Sequence, residues 1–125
     1  MVEMSKNSLV SIIVPIYNGE QFIDKCMNSI LTQTYQNIEI ICVVNGTTDG
    51  SKKMIENYQM MDKRIVLIET EIGDLGRANN IALNIAKGEW ITFIDIDDWV
   101  TEDYVAVLLS GVNRGYKLCK SNLIF

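Results

Sequence analysis

Trp90-Ile91-Thr92-Phe93-Ile94-Asp95-Ile96-Asp97-Asp98 is the stretch on which the fold of this chain turns. Trp90, Ile91, Phe93 and Ile94 read as a buried strand, and the chain then turns acidic within one residue. Asp is a poor strand residue, and three crowded carboxylates repel one another, so the strand ends at Ile94. In an open α/β sheet, ligands bind outside the carboxyl ends of the strands, which is where Asp95, Asp97 and Asp98 would sit. Two readings stay open for the triplet alone. It is either an acidic turn that caps the next helix, or an oxygen-ligand site for a divalent cation.

Outward from this stretch, apolar runs alternate with helical periodicity. Leu9 to Ile16 is continuous and β-branched, the pattern of a strand buried on both faces. Phe22, Ile23, Cys26, Met27, Ile30 and Leu31 recur at helical spacing, with Asn18 as the expected N-cap and Gln21 completing a capping box. Ile38 to Val44 reads as a second strand. A helix is expected from about Asp49, with Met54, Ile55, Tyr58 and Met61 on one face. Ile65 to Ile68 is a short third strand. Leu75 to Lys87 reads as a helix with Ala78, Ile81, Ala82 and Ile85 inward, closed by Gly88 at C′. Beyond the acidic triplet, Thr101 is the expected N-cap of a helix with Glu102 and Asp103 in its first turn. Gly115 to Leu123 starts a fifth strand.

This alternation predicts parallel β-α-β units in a three-layer, doubly wound, mainly parallel α/β sheet. We expect an N-terminal tail over residues 1–8 and one domain over 9–125. Leu123-Ile124-Phe125 ends the chain without a polar tail, which suggests a domain cut short and an apolar edge through which the chain self-associates.

Composition excludes several functions. The 125 residues suffice for one core. Acidic residues outnumber basic ones 16 to 11 and the basic ones do not cluster, which argues against nucleic-acid binding. The sequence has no His, which removes Ser-His-Asp and Cys-His chemistry and His-based zinc sites. Cys26, Cys42 and Cys119 are odd in number and lie among apolar residues, as reduced core cysteines of a cytosolic protein do. Met1 to Ser8 has no apolar stretch of a signal peptide, and no run reaches the ~20 residues that span a bilayer.

In the expected topology three strand ends share one rim: Pro15-Ile16-Tyr17-Asn18, Val44-Asn45-Gly46-Thr47-Thr48-Asp49, and Asp95-Ile96-Asp97-Asp98. Each piece has a local explanation, since Asn-Gly is a turn dipeptide and Thr48 or Asp49 an ordinary cap. Their joint placement favours a site. Tyr17 can stack on a planar base and Asn45 can meet a base edge. The aspartates can hold ribose hydroxyls and a cation that bridges phosphates. G-x-G-x-x-G does not follow the first strand and there is no G-x-x-x-x-G-K-[ST], so dinucleotide and P-loop sites are set aside. A receiver domain would place acids where Pro15-Ile16-Tyr17-Asn18 stands.

These motifs, together with Ser29-Ile30-Leu31-Thr32-Gln33-Thr34-Tyr35, Asn80-Ile81-Ala82-Leu83 and Ala86-Lys87-Gly88-Glu89-Trp90-Ile91, resemble glycosyltransferases of family 2 with the GT-A fold, from Leu9 to Tyr104. The resemblance implies inverting transfer of a sugar from a nucleotide-diphosphate donor, usually a UDP-sugar, to an acceptor hydroxyl on a glycan or lipid-linked acceptor. It implies Mn²⁺ or Mg²⁺ held by Asp97, with Asp95 and Asp98 beside it, and a nucleotide held by Pro15, Tyr17, Asn18, Asn45, Asn79, Asp95 and Asp97. It also implies a cytoplasmic location, peripheral at the inner face of the membrane. The family's catalytic base is expected downstream of Phe125, so no catalytic residue is assigned. Two positions depart from the family pattern. Asn45 stands where an Asp is usual, and Asn79 where an Arg is usual. Arg77 lies ~200° around the helix from Asn79 and does not replace that Arg. The neutral pair leaves an alternative, a degenerate domain that binds a nucleotide-sugar or a partner and transfers nothing.

Overall fold

The structure is a computed structural model that describes residues 7–71 and 75–113. Among the described residues four strands and four helices alternate: β1 (Val10–Ile16), α1 (Ile23–Leu31), β2 (Ile38–Asn45), α2 (Ser51–Met61), β3 (Ile65–Thr70), α3 (Leu75–Ile85), β4 (Trp90–Phe93) and α4 (Tyr104–Asn113). The strand expected over 115–123 and Cys119 lie outside the described residues. All pairings are parallel, in the order β3-β2-β1-β4.

Alternation along the central strands sorts their side chains onto two faces. Val10, Ile12, Val14 and Ile16 meet Ile23, Cys26, Met27 and Ile30 of α1, Ile55 of α2, and Val105 and Leu109 of α4. Ile13, Ile41 and Val43 face the other way, against Ala78 and Ala82 of α3. The connection from β3 to β4 crosses β2 and β1, and a right-handed crossover in that direction lies on the opposite face from α1 and α2. The doubly wound, three-layer expectation therefore holds. Strand order reverses between β1 and β4, which makes their carboxyl ends the topological switch point. Cys26 and Cys42 are buried and unpaired by disulfide, as expected. No helix among the described residues is long and apolar enough to cross a membrane.

Some local expectations give way to tertiary contacts. Among the described residues β4 is an edge strand, and Ile91 and Phe93 are each 41% exposed. They register with Ser11 and Ile13 on the α3 side, where α3 packs over β1 and β2. Ile85, expected inward, is exposed, as is Met61, expected on one face with Met54, Ile55 and Tyr58. The first helix begins at Ile23 with Phe22 at the N-cap and no side-chain cap, so Asn18 and Gln21 form no capping box there. The last helix begins at Tyr104, past Glu102 and Asp103, and Thr101 Oγ1 instead donates to Asp103 at 2.8 Å. Gly88 lies three residues beyond α3 and closes no helix. A Cβ there would stand 2.5 Å from Ser11 Oγ and 2.6 Å from Ser11 N, so glycine is needed for close approach to β1.

Candidate functional site

At the end of β4 the chain closes a turn in which the Asp98 amide donates to the Asp95 carbonyl, 3.0 Å. That turn gathers the acidic triplet: one carboxylate oxygen from each of Asp95, Asp97 and Asp98 lies within 4.8 Å of the others. Asp95 and Asp97 are exposed and Asp98 half-buried. Neither ion pair formed by Lys52 with Glu69 or Arg64 with Asp62 involves the triplet. Lys25 Nζ lies 4.4 Å from the Trp99 ring centroid. The crowding has electrostatic consequences. Burial, then the charges of Asp97 and Asp95, raise the Asp98 carboxyl above its usual range. Burial, then Asp98, Asp95 and Asp97, push the Cys26 thiol up to about 12. A set of hard oxygen donors with this repulsion fits a divalent cation of the Mg²⁺ or Mn²⁺ type.

A cavity of about 320 Å³ opens beside the triplet at the switch point. Pro15, Ile16, Tyr17, Asn18 and Gly19 line it from the end of β1, Asn45 from β2, Asp95, Ile96 and Asp97 from β4, and Phe22 from the start of α1. Pro15 lies beyond the last β1–β4 pair, Ile13 with Phe93, where the two strands diverge. Tyr17 is 63% exposed and offers its ring to whatever enters. A planar group fits the Tyr17 and Asn45 end, and an anion bridged by a cation fits the carboxylate end.

Asn45 is buried, and its Oδ1 accepts a bond of 2.7 Å from Thr70 Oγ1 at the end of β3. A base N–H would thus be the second donor to that oxygen, which has two lone pairs. Asn79 is not among the residues that line the cavity. Its Oδ1 is buried and, among the described residues, has no hydrogen-bond partner, as is also true of Thr47 Oγ1. Arg77 is exposed on the same helix. Asn18 does line the cavity. Its Oδ1 accepts from the backbone amides of Thr48 and Asp49 at 2.8 and 3.3 Å, so its acceptor is turned toward the next loop.

Sequence reasoning missed Gly19, Phe22, Ile96 and Thr70. Thr70 carried a usable signal, since it is a polar residue at a strand's carboxyl end, the place already searched on three other strands. Gly19 matters through contact distance: a Cβ on it would stand 2.7 Å from Ile96 Cγ2.

The sequence profile described as glycosyl transferase family 2 matches residues 11–122. The chain is 46% identical over 103 residues to glycosyltransferase GlyA of Streptococcus pneumoniae, covering 82% of this chain and 15% of GlyA. Its fold superposes on S. aureus TarS 1–349, solved in complex with UDP, with a TM-score of 0.77 at 28% identity, covering 84% of this chain and 32% of that one. The mannosyltransferase PcManGT from Pyrobaculum calidifontis, solved with GDP-Man and Mn²⁺, superposes with a TM-score of 0.73 at 27% identity, covering 78% of this chain and 30% of that one. The chain thus spans a third or less of the length of each of these proteins.

Proposed function

The chain belongs to glycosyltransferase family 2, and from that premise we propose that it is the donor-binding part of an inverting enzyme that transfers a sugar from a UDP-sugar to an acceptor hydroxyl on a glycan or lipid-linked acceptor. One observation carries the reading: three convergent carboxylates at one end of a cavity whose other end is Tyr17 and Asn45. The UDP complex of TarS supports the choice of nucleotide, and the Mn²⁺ of PcManGT supports a cation.

In this reading Pro15 and Tyr17 wall the uracil ring, and Asn45 meets its edge, steadied from behind by Thr70. Asp95 holds ribose hydroxyls on the side of the cavity shared with Asp97. Asp97, with Asp95 and Asp98, would hold Mn²⁺ or Mg²⁺. The bound cation supplies neutralisation of the charge that builds on the leaving diphosphate. Asn79 is uncharged and does not line the cavity, so the protein's cationic contribution is smaller than the family pattern provides. A cytoplasmic location, peripheral at the inner face of the membrane, accords with buried reduced cysteines and a cytosolic nucleotide-sugar donor.

The test is calorimetric titration of UDP in the presence of Mn²⁺. Binding is expected, with loss of the signal on chelation and in Asp97→Ala. Binding that is undiminished in Asp97→Ala overturns the cation assignment, and no binding of UDP or any other nucleoside diphosphate overturns the nucleotide site. The neutral pair Asn45 and Asn79 favours a second reading, a domain that holds a nucleotide-sugar without transferring it. That reading expects tight binding with no release of UDP from UDP-sugars by the full-length protein.

A further inference from the structure

The loops that leave β1 and β2 are tied together by groups for which nucleotide binding gives no direct use. Asn18 holds a left-handed backbone, φ 47°, which Asn adopts more readily than most residues. Besides its two bonds to the amides of Thr48 and Asp49, the Gly19 amide donates to Ser51 Oγ at 3.0 Å and the Glu20 amide to Asp49 Oδ2 at 3.2 Å. The Gly50 amide donates back to Glu20 Oε2 at 3.0 Å. Backbone amides of both loops are therefore satisfied by side chains of the other, across 29 to 32 residues of sequence.

Both walls of the planar end of the cavity adjoin this lashing. Tyr17 immediately precedes Asn18, and Asn45 stands three residues before Thr48, across Gly46 with φ 64°. Tyr17 is too exposed for packing to hold it. We propose that Asn18 is a positioning residue that sets the separation of Tyr17 and Asn45, and through it nucleotide affinity, without touching the nucleotide. The proposal rests on the nucleotide reading of the cavity. Its physical basis is preorganisation: a groove already held at binding width loses little freedom when it is filled.

Asn18→Gly tests it, because glycine keeps the left-handed backbone and removes the side chain with its acceptor. Asn18→Asp keeps the acceptor and removes the amide donor. With Mn²⁺ present, Asn18→Gly is expected to weaken UDP binding about tenfold, the size of one or two lost hydrogen bonds. Asn18→Asp is expected to restore most of it, and both variants are expected to bind Mn²⁺ alone as the parent chain does. Amide spectra of the free protein provide a readout that needs no ligand: Asn18→Gly is expected to shift the signals of Tyr17 and Asn45 as well as those of Thr48 and Asp49. Shifts confined to residues 48 and 49, or Asp and Gly variants equally weak for UDP, overturn the positioning role. A parent chain that binds no nucleotide defeats the nucleotide reading instead, and the spectra then still decide whether Asn18 holds the walls.

Discussion

The two ends of the cavity are built on opposite principles. At the β1 and β2 end, polar side chains and backbone amides satisfy one another, and Asn18, Asp49, Ser51 and Glu20 keep a groove in shape. At the β4 end three carboxylates converge, and burial, then their mutual repulsion, raises Asp98 and Cys26. One end is complete by itself, and the other has repulsion that positive charge would relieve. Rigid recognition and ion-dependent recognition can thus share one cavity, because the switch point joins strand ends whose loops belong to different helices.

The sharpest way to break this division is at its seam. Gly19 touches Ile96 between the lashed loop and the acidic turn, and Gly19→Ala would drive a methyl group to 2.7 Å from a branched, buried side chain. We expect it to cost about 1–3 kcal/mol in chemical denaturation, as overpacking does, and to weaken UDP and Mn²⁺ binding together. A loss confined to one ligand would mean that the two ends are mechanically independent.

The second test sharpens the β1 and β2 end. Asn45→Asp and Asn79→Arg restore opposite charges, and Thr70 Oγ1 can still donate to an Asp at position 45. If the two positions share the nucleotide, a double-mutant cycle on UDP affinity should show coupling of about 1 kcal/mol. Strict additivity would separate Asn79 from the site, and a double variant that prefers CDP or GDP less than the parent does would identify a retuned base pocket.

The smallest effect is a matter of order in acid. Burial raises the Asp49 carboxyl, but hydrogen bonds from Ser51 and the Glu20 amide outweigh it and leave it below its usual range. Its contribution to stability is therefore present above the unfolded carboxyl pKa and lost as pH falls through the lower folded value. Asp98 has the opposite sign. Its folded pKa is raised, so it disfavours the fold at neutral pH and that penalty is relieved as pH falls through the folded value. Carboxyl NMR titration without metal should show Asp98 protonated at a higher pH than Asp49. The reverse order would mean that the crowding at β4 is relieved by water or by motion.

Much of this was legible in the chain itself. Continuous β-branched runs predicted β1 and β2 to within a residue, and the acidic triplet predicted its own cluster because adjacent residues on one turn cannot avoid each other. Caps were misread where a residue serves a distant partner: Asn18 reaches the next loop, and Gly88 makes room for Ser11. Local propensity carries no information about such partners. Burial of β4 was overestimated for a related reason, since Ile91 and Phe93 spell a core strand while their exposure depends on where α3 lies. Thr70 and Ile96 become part of the site only through sheet order, which a one-dimensional pattern leaves open.

That sheet order also has a consequence in time. Val10 pairs with Ile38 on one side and with Trp90 on the other, separations of 28 and 80 residues. Closing the longer loop costs only about 0.9 kcal/mol more in chain entropy, but on a ribosome the difference is one of sequence. The β1, β2 and β3 layer, with its lashed loops, can assemble before β4 has emerged. The mutually repelling carboxylates are brought to the rim last, by a strand that adds four registered pairs to a β1 already bound to β2 by seven. Synthesis from the N-terminus therefore lets the self-sufficient half of the cavity serve as the template on which the charged half is laid down.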